Sequence, residues 1–309
     1  MTTRLYTHAA CLGHDMGPGH PERPARLQAI MAALEAEPFQ YLERAEAPLA
    51  TVEQLCRVHP QGYVQWILQS VPAAGLFALD PDTTLSPGSG EAALRAAGAV
   101  CAAVDAVAAG EIANAFCAVR PPGHHAEPGT AMGFCLFNNV AVGALQARAV
   151  HGLRRVAVVD FDVHHGNGTQ AMFEGDPEAF YASTHQMPLY PGTGAASETG
   201  LGNICNAPLP PYAGSEEFRA AMESRILPAL DRFRPDFLLI SAGFDAHRAD
   251  PLANLELEEE DFVWATDRLM AIADRHAGGR VVSALEGGYD LDALAASAAA
   301  HVLALMAVS

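Results

Sequence analysis

The chain contains no lysine: all 18 of its basic residues are arginine. That excludes a Schiff-base lysine and a Walker-type phosphate loop. Basic residues are scarce altogether, 18 against 36 acidic ones, for a formal net charge of −18, and they form no cluster. A surface of that sign is a poor match for nucleic acid or an anionic membrane, so neither is an expected partner. There is no Cys-x-x-Cys pair among Cys11, Cys56, Cys101, Cys117, Cys135 and Cys205, and most of these sit in apolar runs. They read as buried, reduced thiols in a cytoplasmic protein. The segment Met1–His8 lacks the apolar core of a signal peptide. The Ala/Leu-rich run near the C-terminal end is interrupted by Asp292 and His301, so it reads as a docked helix and not a membrane span. No Pro/Gly/Ser linker, charge block or internal repeat divides the chain.

What is present is a large apolar fraction, 50% of 309 residues, ample for an extensive core. We expect one domain over residues 1–309, since α/β folds often reach this length undivided. Short apolar runs near 113–119, 155–160, 178–184, 236–241 and 280–285 read as buried strands. Ala-rich helical patterns near 89–109, 136–149, 215–232, 258–276 and 290–307 lie between them. Such alternation predicts an α/β fold with a central parallel sheet covered by helices on both faces. Ligands of such sheets bind beyond the carboxyl ends of the strands, and the chain's unusual polar residues fall there.

Four segments carry the chemistry. In Val156-Ala-Val-Val-Asp-Phe-Asp-Val-His-His-Gly-Asn167, an apolar strand ends in Asp160, Asp162 and His164 at alternate positions. Residues two apart in an extended segment point the same way. Buried carboxylates and imidazoles are costly unless paired or bound to a cation. Two hard oxygens and a ring nitrogen suit a divalent metal, zinc above all. Arg120-Pro-Pro-Gly-His-His-Ala126 follows another strand, and a rigid turn there must present His124 and His125. Leu238 to Leu252 delivers Asp245, which would complete a three-ligand site with an open position; His247 and Asp250 read as a polar loop pair. Leu285-Glu-Gly-Gly-Tyr-Asp290 delivers Tyr289 from a glycine turn, where a phenol can donate to a developing oxyanion. Asp160 and Asn167 are candidates to orient an imidazole each.

Taken in order, these segments resemble the zinc-dependent histone deacetylase family, on its arginase/deacetylase fold. The motifs are most similar to its class II branch and the bacterial deacetylase-like amidohydrolases, and the match runs from roughly His8 to the end. The resemblance implies zinc ligands at Asp162, His164 and Asp245. It implies tandem catalytic histidines at His124 and His125, backed by Asp160 and Asn167 respectively, where class I members carry Asp at the position of Asn167. Tyr289 matches the carbonyl-polarising tyrosine. Phe134 and Tyr190 match the aromatic lining of the acyl-lysine channel, with Gly133 beside them, and Asp82 matches the rim residue that binds the substrate backbone. A potassium ion is also implied, held by carbonyls of Asp160, Asp162, His164 and Thr184 and by the Ser183 hydroxyl.

The activity so implied is zinc-assisted removal of acetyl or other short acyl groups from lysine in peptides or proteins. The alternative is acetylpolyamine hydrolysis. Leu252, seven residues after Asp245, stands where polyamine-selective relatives carry an acidic residue, which favours acyl-lysine. A catalytically silent acyl-lysine or metal-binding module is disfavoured by the intact Tyr289, histidines and ligands. An arginase-like enzyme with two manganese ions would need more carboxylates than the chain supplies here.

Overall fold

The structure is a computed structural model and describes residues 2–307; Met1, Val308 and Ser309, which the expected domain span includes, lie outside the described residues. Among the described residues ten strands form: β1 Thr3–Thr7, β2 Glu43–Glu46, β3 Phe77–Ala78, β4 Thr84–Leu85, β5 Asn114–Cys117, β6 Val156–Asp160, β7 Ala179–Gln186, β8 Ile204–Leu209, β9 Phe237–Ala242 and β10 Val281–Leu285. Eight of them make one sheet in the order β2-β1-β5-β10-β9-β6-β7-β8. Every neighbouring pair in it is parallel. β3 and β4 form a separate antiparallel hairpin.

The four central strands, β5, β10, β9 and β6, are buried at every residue. Burial on both faces is why their sequences are continuous apolar runs and not alternating ones. Helices Ser89–Ala108 and Asn139–His151 pack on each other and on these strands, while Pro24–Ala33, Leu291–Ala307 and Glu259–His276 pack in succession as a second layer. The expected parallel sheet with helices on both faces is therefore what the chain forms. Among the described residues, no helix is long and apolar enough to cross a membrane.

Several elements differ from the sequence reading. β1, β2 and β8 lie at or near the sheet's edges, and β2, Glu-Arg-Ala-Glu, has only half-buried and exposed positions, so it carries no apolar run. The helix expected over 215–232 is interrupted. Ser215–Ala221 and Leu227–Phe233 are joined by a wide π-type turn at Met222–Ile226. Pro228 lacks the N–H that would bond one turn back, which favours such a local widening.

The topology decides where the site sits. From β5 the chain crosses two strand positions to β6, runs outward through β7 and β8, then returns to fill the gap with β9 and β10. The loops after these four adjacent strands consequently share one end of the sheet, at a topological switch point.

Candidate active site

Each chemistry-bearing segment follows one of those four strands. Asp162 and His164 come after β6, Asp245 after β9, His124 and His125 after β5, and Tyr289 after β10. Among the described residues, Asp162, His164 and Asp245 form the cluster with metal-ligand geometry, one ligand atom from each lying within 4.8 Å of the others. His164 Nδ1 is 3.1 Å from both Asp162 Oδ1 and Asp245 Oδ2. The carboxylates are themselves held by backbone N–H groups: Asp162 accepts from His164 N at 2.8 Å and Gly287 N at 2.8 Å, and Asp245 from Val163 N at 2.9 Å. Burial disfavours a charged imidazole at His164, but the two carboxylates outweigh it and raise its pKa to about 10. Burial and the neighbouring Asp162 push Asp245 upward.

Space at the cluster is kept by missing side chains. A Cβ at Gly287 would stand 2.0 Å from Asp245 Oδ2 and 2.6 Å from Asp162 Oδ2, and one at Gly243 would stand 2.0 Å from Asp162 Oδ2. A net-negative, buried pocket of two oxygens and one ring nitrogen is a place for a cation, and three donors leave a position open. These residues fit a catalytic metal.

Beside the cluster lie two imidazoles, ring centroids 4.0 Å apart and tilted by 45°. The expected turn presents them, and each has a different partner. His124 Nδ1 faces Asp160 Oδ2 at 2.9 Å. His125 Nδ1 faces Asn167 Oδ1 at 2.8 Å. The orientation of the Asn167 amide follows from Glu127, whose Oε1 accepts from Asn167 Nδ2 at 2.9 Å. The amide oxygen is thereby turned to His125, so Nδ1 of that ring carries the proton and Nε2 is left as an acceptor. Burial lowers the pKa of both rings. At His124 the charges of Asp160, Asp162 and Glu286 overcome burial and raise it well above the usual value. At His125 the neighbouring His124 and His164 add to burial and hold it well below, against the charge of Asp162 and the hydrogen bond to the neutral Asn167. Adjacent groups whose environments push their pKa values apart divide acid from base.

A cavity of about 230 Å³ opens onto this cluster, lined among others by Phe134, Tyr190, Leu252, Asp82 and Tyr289. Hollows of about 450 and 550 Å³ elsewhere contain no histidine. Tyr190 stands edge-on to His125, centroids 5.2 Å apart, and Phe134 stands 6.0 Å from Tyr289. Gly133 also lines the cavity. A Cβ there would fall 2.5 Å from His125 Cδ2, so glycine lets the ring pack against the chain. Asp82 is half-buried at the mouth; Thr83 bonds it at 3.2 Å and ties it to the wall by accepting from Phe134 N at 3.1 Å. Ser183 and Thr184 are buried on β7, where Ser183 is in register with Asp160 and bonds His185 Nδ1 at 2.9 Å.

Sequence reasoning passed over the residues that hold this arrangement. Glu286 is fully buried and accepts from Gly123 N at 2.6 Å and His124 N at 3.1 Å, fastening the histidine turn to β10. Burial raises its carboxyl to about 7 despite His124 nearby. Arg26 Nε donates to Gly288 O at 2.6 Å, its Nη1 binds Glu22 Oε1 at 3.1 Å, and Arg120 grips the same carboxylate. Burial opposes that charge, but Arg120, His14 and Arg26 bring Glu22 down to about 2. Glu286 and Arg120 stand inside the motifs already singled out and Glu127 directly follows one; Glu22 and Arg26 had no local signal. His247 and Asp250 lie in the loop outside the metal cluster, joined by Asp250 N on His247 O at 2.9 Å, and their side chains serve other backbone groups. The His247 side chain accepts from Ala249 N at 3.1 Å, while Asp250 serves Leu252 N and Tyr289 N at 2.9 and 2.7 Å. Burial, with the charge of Asp245 next, raises Asp250 to about 7.

Fold and site together define a hydrolase with a metal-capable floor, an imidazole pair and a cavity lined by aromatic side chains. A histone deacetylase domain matches residues 20–305, and the chain belongs to that family, whose members act on amides. It is 41% identical to histone deacetylase 14, chloroplastic, of Arabidopsis thaliana, over 98% of this chain and 76% of that one. It is 40% identical to the histone deacetylase-like amidohydrolase of Pseudomonas aeruginosa, over 93% of this chain and 81% of the relative. The solved HDA15 HD domain superposes with a TM-score of 0.93 at 36% identity, over all of this chain and 89% of that chain. The architecture is the arginase/deacetylase fold.

Proposed function

We propose that the chain is a zinc-dependent deacetylase that hydrolyses acetyl-lysine, or lysine carrying another short acyl group, in peptides and proteins. One observation carries the reading. Beside three converging metal donors stand two imidazoles, one on a carboxylate and the other on a carboxamide, at a cavity of about 230 Å³ lined by Phe134 and Tyr190. Asp162, His164 and Asp245 would hold the zinc, which when bound supplies a Lewis acid for the substrate carbonyl and the attacking water. His125, neutral and with Nε2 free, takes a proton from the water as its oxygen bonds to the carbonyl carbon. His124, held charged by Asp160, stabilises the negative charge that develops. The Tyr289 hydroxyl donates a hydrogen bond to the carbonyl oxygen as it becomes anionic. As the C–N bond breaks, the proton on His125 passes to the departing nitrogen, leaving a carboxylate and a free amine.

Phe134 and Tyr190 flank the apolar lysine stem, Gly133 gives His125 its room, and Asp82 meets the substrate backbone at the rim. A potassium ion would sit beside the zinc on carbonyls of Asp160, Asp162, His164 and Thr184 and the Ser183 hydroxyl; the Asp160–Ser183 register supports this set. The chain acts as one catalytic domain over residues 1–309. It works in a reducing compartment, the cytoplasm, a reading supported by six unpaired cysteines. No nucleic acid or membrane partner is called for.

Acetylpolyamine hydrolysis is the second reading, and Asp82 favours it, because its carboxylate lines the cavity mouth. Leu252, 36% exposed on the same rim, favours acyl-lysine, since it offers no counter-charge to a distal ammonium. The test is a turnover panel of acetyl-lysine peptides, longer acyl-lysine peptides and N-acetylated polyamines with the metal-loaded enzyme. Acetyl-lysine peptides should show the higher kcat/KM, and Leu252→Glu should shift the ratio toward polyamines by about 1 kcal/mol or less, the worth of an exposed pair. A wild-type preference for polyamines that Asp82→Ala abolishes would make Asp82 the selectivity element instead.

A further inference from the structure

We propose that Asp250 is a positioning residue that sets Tyr289 over the reacting carbonyl and ties its placement to the channel rim. The inference rests on the role given to Tyr289 above. Asp250 lies in the loop after β9 and is 7% exposed. Its two carboxylate oxygens are divided between two loops. Oδ2 accepts from the backbone N–H of Tyr289 at 2.7 Å, and Oδ1 accepts from that of Leu252 at 2.9 Å. Tyr289 follows Gly287 and Gly288, and Gly288 sits at φ +121°, so the backbone that presents the phenol has little stiffness of its own.

The stiffness is supplied from two sides. Arg26 holds the carbonyl of Gly288 at 2.6 Å and lays its guanidinium 4.8 Å from the centre of the Tyr289 ring. Asp250 holds the next N–H. The loop carrying Asp250 is braced in turn, with its N–H on His247 O at 2.9 Å and Phe244 N on Gly287 O at 3.0 Å. Leu252, on the same carboxylate, lines the mouth that Tyr289 also lines. A displacement of the rim therefore reaches the phenol through one side chain that touches no substrate.

The test is a double-mutant cycle on the metal-loaded enzyme with an acetyl-lysine peptide, using Asp250→Ala, Asp250→Asn, Tyr289→Phe and the two combinations. Asp250→Ala should lower kcat by roughly tenfold or more with KM little changed, since a misplacement of about 1 Å can cost 10²-fold. Asp250→Asn keeps one acceptor oxygen and should fall between. In the Tyr289→Phe background the same changes should cost less than about threefold, because the group they position is gone and coupled residues are not additive. Metal content and melting temperature serve as controls for folding. An equal loss in both backgrounds overturns the proposal, as does unchanged kcat in Asp250→Ala. Failure of both Asp250 variants to fold with metal bound marks the residue as structural and also overturns it. If Tyr289→Phe alone leaves the rate intact, the reading of Tyr289 falls first and this proposal with it. A slow Tyr289→Phe beside a normal Asp250→Ala removes the proposal alone.

Discussion

Two residues at the site act through single atoms, and a conservative change at each isolates that atom. Tyr289→Phe removes one hydroxyl and leaves the ring between Phe134 and Arg26. Loss of one oxyanion donor costs roughly 2.7–4 kcal/mol, so kcat should fall about 10²–10³-fold with KM little affected. Steady-state kinetics on an acetyl-lysine peptide check this, and a rate within about threefold of wild type, far short of that range, would make Tyr289 a packing residue. Asn167→Asp replaces the neutral acceptor on His125 Nδ1 with a charge. An adjacent carboxylate stabilises the imidazolium and raises its pKa by roughly 1–3 units. A base must be deprotonated to act, so the acidic limb of the kcat/KM profile should move to higher pH. A limb that stays in place would remove His125 from the role of base.

The turn after β10 is the element on which the site converges. Within four residues it supplies Glu286 to the histidine turn, the Gly287 N–H to Asp162, the Gly288 carbonyl to Arg26 and the Tyr289 N–H to Asp250. Glycine at 287 is demanded by the two carboxylates behind it, whose oxygens a Cβ would approach to 2.0 and 2.6 Å. Both are held by backbone N–H groups, so neither can retreat cheaply. Gly287→Ala should therefore depress metal content per chain, measured by atomic emission, while the helical circular dichroism of the flanking layers persists. A variant that binds metal as the wild type does would show that the cradle can yield. The sequence offered this turn as a carrier of the Tyr289 phenol alone; its four connections join segments more than 35 residues apart and have no local signature.

At the scale of the whole molecule, buried histidines set the acid limit of stability. His59 donates from Nδ1 to Pro128 O and accepts at Nε2 from Asn138 N, both at 3.0 Å. His185 donates from Nε2 to Gly194 O at 2.9 Å and accepts at Nδ1 from Ser183. His301 sits between Thr266 and Ser283 at 2.6 and 2.8 Å. Each ring is satisfied as the neutral form. Burial lowers their pKa values from 6.5 to about 4, 4 and 3. The unfolded chain thus takes up protons that the folded one refuses. Stability from these groups is present above pH 6.5 and is lost as pH falls toward the folded values, at up to about 4 kcal/mol per pH unit for three protons. Chemical denaturation followed from pH 7 to pH 4 should show this decline, and His301→Gln should make it shallower. A flat profile would mean that these rings accept protons in the folded state.

Composition and pattern alone determined that the chain is an α/β protein with a parallel sheet, because doubly covered strands must be written as continuous apolar runs and helices as Ala-rich ones. They also picked out Asp162, His164, His124, His125 and Tyr289, because polar residues at the end of a buried strand have no bland explanation. Asp245 was read in the same way, although it and the β6 ligands are more than 80 residues apart. Only the tertiary structure decided what surrounds them. The strand order β5-β10-β9-β6 brings four distant loops to one end of the sheet. Their backbone N–H groups then find partners in Glu286, Asp250 and Asp162, side chains from other loops. Arg26 and Glu22 reach the site from an N-terminal segment that no motif marked. Those contacts depend on three-dimensional register and on which groups lose water together, and neither is encoded in any run of neighbouring residues.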